Sequence, residues 1–149
     1  MDSGIQVGMH AAEATVTSLD DRQVTLAEYR GQKVMLWLFA TWCPSCQRSA
    51  KELQRDDERL QSLTVLAGKM HKNGGYSGPS VREFAEEYAS EPVESDRWVW
   101  GKASRETTRT FSPRGVIDMY YLIDEDGIIR TVDTVPATTT HKIVSFANE

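Results

Sequence analysis

With 149 residues, 40% of them hydrophobic, the chain has the size and apolar content of one globular domain, expected to span 1–149. A net charge of −5, with 17 Lys and Arg interspersed among 22 Asp and Glu, leaves no basic footprint for nucleic acid. No apolar run approaches the ~18 residues needed to cross a bilayer, and Met1-Asp2-Ser3-Gly4 lacks the basic start and apolar stretch of an export signal, so an anchor is expected only in a segment absent from this chain.

In chain order, Ala14 to Ser18 and Gln23 to Leu26 flank the turn-like Leu19-Asp20-Asp21-Arg22 and predict a short N-terminal hairpin. Lys33 to Ala40 (KVMLWLFA) is almost continuously apolar, which suits a strand covered on both faces and predicts the central strand of an α/β sheet. From Pro44 to about Leu60 the period turns helical. Cys46, Ala50, Leu53 and Leu60 share one face, and Arg48, Lys51, Arg55 and Asp56 lie on the other. Leu63 to Ala67 reads as a strand, Lys72 to Pro79 as a Gly-rich loop, and Ser80 to Ala89 as a helix. A short strand about Trp98 and Trp100 and a helix over Ser104 to Phe111 follow. Met119 to Ile123 and Ile128 to Val132 then flank Asp124-Glu125-Asp126-Gly127, whose Asp-Gly pair favours a hairpin, and a helix over Thr140 to Ala147 ends the chain. The sum is an α/β fold with a mixed central sheet, parallel early and antiparallel late, flanked by helices.

The only two cysteines, Cys43 and Cys46, stand two residues apart where the buried strand gives way to the helix. At a helix start, unpaired N–H groups and the positive helix end favour an anion, so Cys43 is the expected nucleophile. Pro44 falls at the first helical position, where its missing N–H is harmless and its fixed φ suits the turn. Cys46 lies on the inward face, which assigns it the resolving role: Cys43 attacks a disulfide and Cys46 displaces the partner from the mixed disulfide. The pair is also compatible with an inert bridge, buried thiols, or half of a metal site shared by two chains. So short a loop is a poor staple, and no further Cys or nearby His completes a site, so neither a stable metal nor a cofactor is expected.

The stretch Val24 to Cys46, VTLAEYRGQKVMLWLFATWCPSC, and Leu122-Ile123-Asp124 with Gly127 resemble the TlpA-like branch of thioredoxin-fold oxidoreductases. The resemblance implies a thioredoxin-like fold and disulfide exchange with protein thiols and a redox partner, commonly outside the cytoplasm. It also implies that Trp42 faces the partner; simple core packing is the alternative, and a large aromatic beside a reactive thiol can do both. Three departures stand out. Trp37 and Ser49 occupy the two positions where thioredoxins and this branch, respectively, carry a proton-handling Asp or Glu. Counting back from Gly127, Asp118 occupies the place of the family's cis-proline, so Ile117 and Asp118 are expected to form a trans bond and a changed substrate groove. A carboxylate there would oppose the Cys43 thiolate by like-charge repulsion and accept the proton that Trp37 and Ser49 cannot, unless Asp118 merely begins the strand and points to solvent. These departures also admit a different class of function, a binding or assembly module with a redox-inactive disulfide.

Gly74, Gly75 and Gly78 lack the Gly-Lys-Ser/Thr ending of a P-loop and read as a flexible connection or a partner-facing loop. His10, His71 and His141 lack metal-ligand spacing and read as surface residues. Trp98 and Trp100 share a strand face and belong either to the core or to an exposed aromatic patch, while Asp56-Asp57-Glu58 reads as a solvated helix face.

Overall fold

The computed structural model describes residues 3–89 and 95–149; Met1 and Asp2, read for an export signal, and 90–94 of the expected 1–149 span lie outside them. Strands β1 (Ser3–Gly4) and β2 (His10–Ala11) pair in parallel ahead of the predicted hairpin, β3 (Thr15–Ser18) and β4 (Gln23–Thr25). The apolar run forms β5 (Lys33–Phe39), followed by α1 (Pro44–Arg55), β6 (Leu63–Lys69), α2 (Val81–Tyr88), β7 (Trp98–Ala103), α3 (Arg105–Phe111), β8 (Met119–Ile123), β9 (Ile129–Thr134) and α4 (Thr140–Ala147). Sequence signals fixed several of the ends. Ser80 caps α2 by a reciprocal box with Glu83, and Ser104 caps α3 by accepting from Thr107 N at 3.0 Å.

Seven strands form one sheet in the order β4-β3-β7-β6-β5-β8-β9. β7, β6 and β5 run parallel, with antiparallel pairs on both sides. The expected parallel-then-antiparallel sheet is thus corrected: the N-terminal hairpin adds antiparallel strands beyond β7. The middle place also belongs to β6, with β5 one strand away. β5 is still covered on both faces, as its unbroken apolar run required. Met35, Trp37 and Phe39 pack beneath α1, α2 and α4, while Val34, Leu36 and Leu38 pack with Leu26 and Phe111 on the opposite face.

The helix expected to reach Leu60 ends at Arg55, and Asp57–Leu60 forms a separate 3-10 turn. Arg97 donates to both carboxylate oxygens of Asp57 at 2.8 Å and to the Leu60 carbonyl at 2.9 Å, tying this turn to the approach of β7. The acidic run is therefore more than a solvated face. Trp98 and Trp100 are buried and stacked with ring centroids 5.3 Å apart, so they belong to the core and form no exposed patch.

Candidate active site at the start of the first helix

The chain leaves β5 at Phe39 and turns through Ala40-Thr41-Trp42, where Cys43 N donates to Ala40 O at 3.3 Å. Cys43 stays extended (φ −82°, ψ 119°) and caps α1, with exposed Pro44 opening the helix. Its Sγ accepts the Cys46 backbone N–H at 3.4 Å, one of the donors a helix start leaves without a carbonyl partner. The geometry suits a sulfur carrying negative charge. Cys46 sits one turn further with no exposed surface, whereas Cys43 retains 9%, and both are free thiols. Burial, then the Asp118 carboxylate, push the Cys46 thiol up from its ordinary value.

Asp118 lies where the hairpin count put it, beside the cysteine-bearing helix, and the Ile117–Asp118 bond is trans. It takes a left-handed φ of 62°, which Asp tolerates better than most residues. It does not point to solvent: its exposure is 1%. Trp37 Nε1 donates to Oδ1 at 2.8 Å, Ser49 Oγ donates to Oδ2 at 3.0 Å, and the Ser45 hydroxyl donates to Oδ2 as well. Trp37 and Ser49, the two positions that lack the expected carboxylates, thus aim donors at one carboxylate delivered by the loop before β8. Val135 N donates to the Asp118 carbonyl at 2.7 Å, and Ala137 N donates to Ser49 Oγ at 3.2 Å, fixing the loop and the Ser49 donor from the β9 side. Among the described residues no cation pairs with Asp118. The expected repulsion acts on Cys46, the buried member of the pair.

On the outer side, half-buried Trp42 donates through Nε1 to Asn73 O at 2.6 Å and meets Tyr76, 67% exposed, with ring centroids 5.0 Å apart. Trp42 therefore packs against the core and still borders the surface beside Cys43. The Gly-rich loop is no slack connection. His71–Gly75 includes three successive left-handed residues, Lys72, Asn73 and Gly74, and buried Asn73 clamps Thr41 by accepting from its N at 2.9 Å and donating to its Oγ1 at 2.9 Å. Half-buried Ile117 closes the gap on the other side, its Cδ1 only 2.9 Å from where a Cβ on Gly74 would stand. His71 and His141 are exposed, while His10 is half-buried and bridges to Ile128.

Sequence reasoning singled out Cys43, Cys46, Trp42, Pro44, Ile117 and Asp118. It missed Ser45 and Asn73 and assigned Trp37 and Ser49 no task. The readable signal for Trp37 was alternation, because residues 35, 37 and 39 of β5 and 118, 120 and 122 around β8 face α1 together. For Asn73 it was the Asn-Gly-Gly run, whose members all tolerate left-handed backbone.

Residues 7–132 match the model of the AhpC/TSA family. The thiol-disulfide oxidoreductase ResA of Geobacillus kaustophilus is 26% identical over 135 residues, covering 89% of this chain and 71% of that protein. The thiol:disulfide interchange protein DsbD of Haemophilus ducreyi is 33% identical over 78 residues, half of this chain; the matched part is 14% of that protein's length. A thioredoxin-like protein from Aeropyrum pernix superimposes with a TM-score of 0.67 at 21% identity, covering 88% of this chain and 87% of that one, and shows the shared fold. The chain belongs to the AhpC/TSA family and is a TlpA-like protein of thioredoxin fold.

Proposed function

We propose that this family member exchanges disulfides with protein substrates, Cys43 attacking and Cys46 resolving. One observation carries the reading: Cys43 Sγ sits at the mouth of α1 accepting the Cys46 N–H at 3.4 Å, with Cys46 sealed behind it. A thiolate at Cys43 opens a substrate disulfide and forms a mixed disulfide, releasing one substrate thiolate. Cys46 then attacks Cys43 Sγ, the second substrate thiolate leaves, and the two electrons gained by the substrate remain balanced by the Cys43–Cys46 disulfide. The ResA and DsbD relatives, both named for thiol-disulfide chemistry, support a protein thiol or disulfide as the partner. Trp42, the neighbour of Cys43 in the chain, packs against Tyr76 and faces Ile117 across Gly74, which supports these three as the surface a substrate would meet.

The experiment is trapping. Cys46→Ser should accumulate mixed disulfides that dithiothreitol releases, and Cys43→Ser should accumulate none. Equal trapping by both variants would refute the assignment of roles, and no trapping by either would refute the exchange reaction.

A further inference from the structure

Cys46 must lose its proton to resolve the mixed disulfide, yet it lies in an apolar interior with no exposed surface. A buried carboxylate without a cation is expensive to keep. Asp118 is such a group. Its oxygens are bound by three neutral donors, and two of these, Ser45 and Ser49, flank Cys46 on α1 at one residue before and three after. Residues three apart on a helix are neighbours, so the carboxylate lies against the helical turn that carries Cys46. Among the described residues, Cys46 on α1 and, on β8, Tyr120, whose hydroxyl shares a hydrogen bond with Thr139 at 2.6 Å, feel its charge. Neither is a cation, and a phenol that burial has pushed up to about 12 is a poor base for a thiol near neutral pH.

We infer that the Asp118 carboxylate is the proton acceptor for Cys46 in the resolving step, reached from the loop before β8 and oriented by Trp37, Ser45 and Ser49. This rests on the proposed exchange reaction. The Cys46 S–H bond breaks, its proton passes to Asp118, and the Cys46 sulfur attacks Cys43 Sγ; the substrate's sulfur leaves with the electrons of the broken S–S bond. The carboxylic acid then gives its proton to the departing thiolate, so Asp118 ends ionised and the only oxidation change is dithiol to disulfide. When the pair is reduced again, the steps run in reverse.

The test uses reduced, full-length protein and stoichiometric 5,5′-dithiobis(2-nitrobenzoate), followed by stopped-flow absorbance. The first nitrothiolate released reports attack by Cys43 and the second reports resolution by Cys46. Asp118→Asn keeps size and left-handed tolerance, so the first release should be no slower than in wild type, while the second slows roughly 10²-fold at neutral pH. That loss should shrink in alkali as hydroxide takes over. A second release that is unchanged, or slowed by the same factor at every pH, overturns the inference. Should the variant not fold, wild type decides: a second release nearly flat from neutral to mildly alkaline pH supports the carboxylate, and one rising about tenfold per pH unit refutes it. A first release that survives Cys43→Ser would instead overturn the assignment of attack to Cys43, and no release from wild type would overturn the exchange reading itself.

Discussion

Removing the Asn73 side chain should loosen the loop that braces Trp42 and Thr41, and the effect can be worked from its contacts. Asn73 is buried at φ 53°, accepts from Thr41 N and donates to Thr41 Oγ1, both at 2.9 Å. Asn73→Gly keeps the left-handed backbone free of strain but strands the buried Thr41 N–H, a loss of about 1–3 kcal/mol. Asn73→Ala strands the same group and also forces a Cβ into left-handed φ, adding about 1 kcal/mol after the lower chain entropy of Ala is counted. For a domain of this size, the Ala variant should therefore melt roughly 5–15 °C lower than wild type. Urea unfolding of both variants at neutral pH measures the two contributions separately. An Ala variant within about 0.5 kcal/mol of wild type, or one more stable than the Gly variant, would refute the clamp, since neither fits a stranded donor plus backbone strain.

A Cβ at Gly101 would stand 2.1 Å from Thr17 O and 2.8 Å from Val16 Cγ1, so Gly101→Ala should part β7 from β3 and destabilise by about 3 kcal/mol or more; an unchanged melting temperature would contradict this packing. Of the five tyrosines, Tyr120 and Tyr121 are pushed up to about 12, chiefly by burial, so phenolate absorbance should show both lagging behind an ordinary phenol's titration near pH ~10. The sign follows from folded pKa values above the unfolded one: the folded state holds these protons longer, so their contribution is complete below pH ~10 and is lost as pH rises toward 12. Full phenolate formation near pH ~10 with the protein still folded would count against their burial.

Much of the fold was legible because it is written in local patterns. The unbroken KVMLWLFA run announced a strand covered on both faces, and the last helix was read with its observed ends, Thr140 and Ala147. What failed was decided by tertiary contacts. The helix stops at Arg55, short of Leu60, where Arg97, about forty residues on, draws Asp57 and the Leu60 carbonyl aside, and no periodicity encodes that partner. The edge position of the N-terminal hairpin is equally non-local, fixed where Gly101 lets the β3 backbone close on β7. The dithiol was legible from its spacing at a strand-to-helix junction. The clamp by Asn73 was not, because a Gly-rich loop looks slack until its one amide is seen gripping Thr41.

The departures at Trp37, Ser49 and Asp118 looked like three separate losses in sequence and are one arrangement in space. A carboxylate buried to 1% exposure persists only if its lone pairs are met by donors. An indole N–H from β5 and two hydroxyls from α1 meet them, and the fully buried Trp37 indole in turn finds in Asp118 the partner its N–H needs. Placing an acid at position 49 as well would bring a second carboxylate against Asp118, where Ser49 Oγ now stands at 3.0 Å, and like charges that close disfavour ionising both. The three positions are therefore linked: with Asp118 in place, a donor suits position 49 better than a second carboxylate, and the indole at 37 is long enough to bring a donor to Oδ1. The left-handed backbone at 118 belongs to the same arrangement, because a position governed by proline's fixed φ near −65° could supply neither the conformation nor the carboxylate.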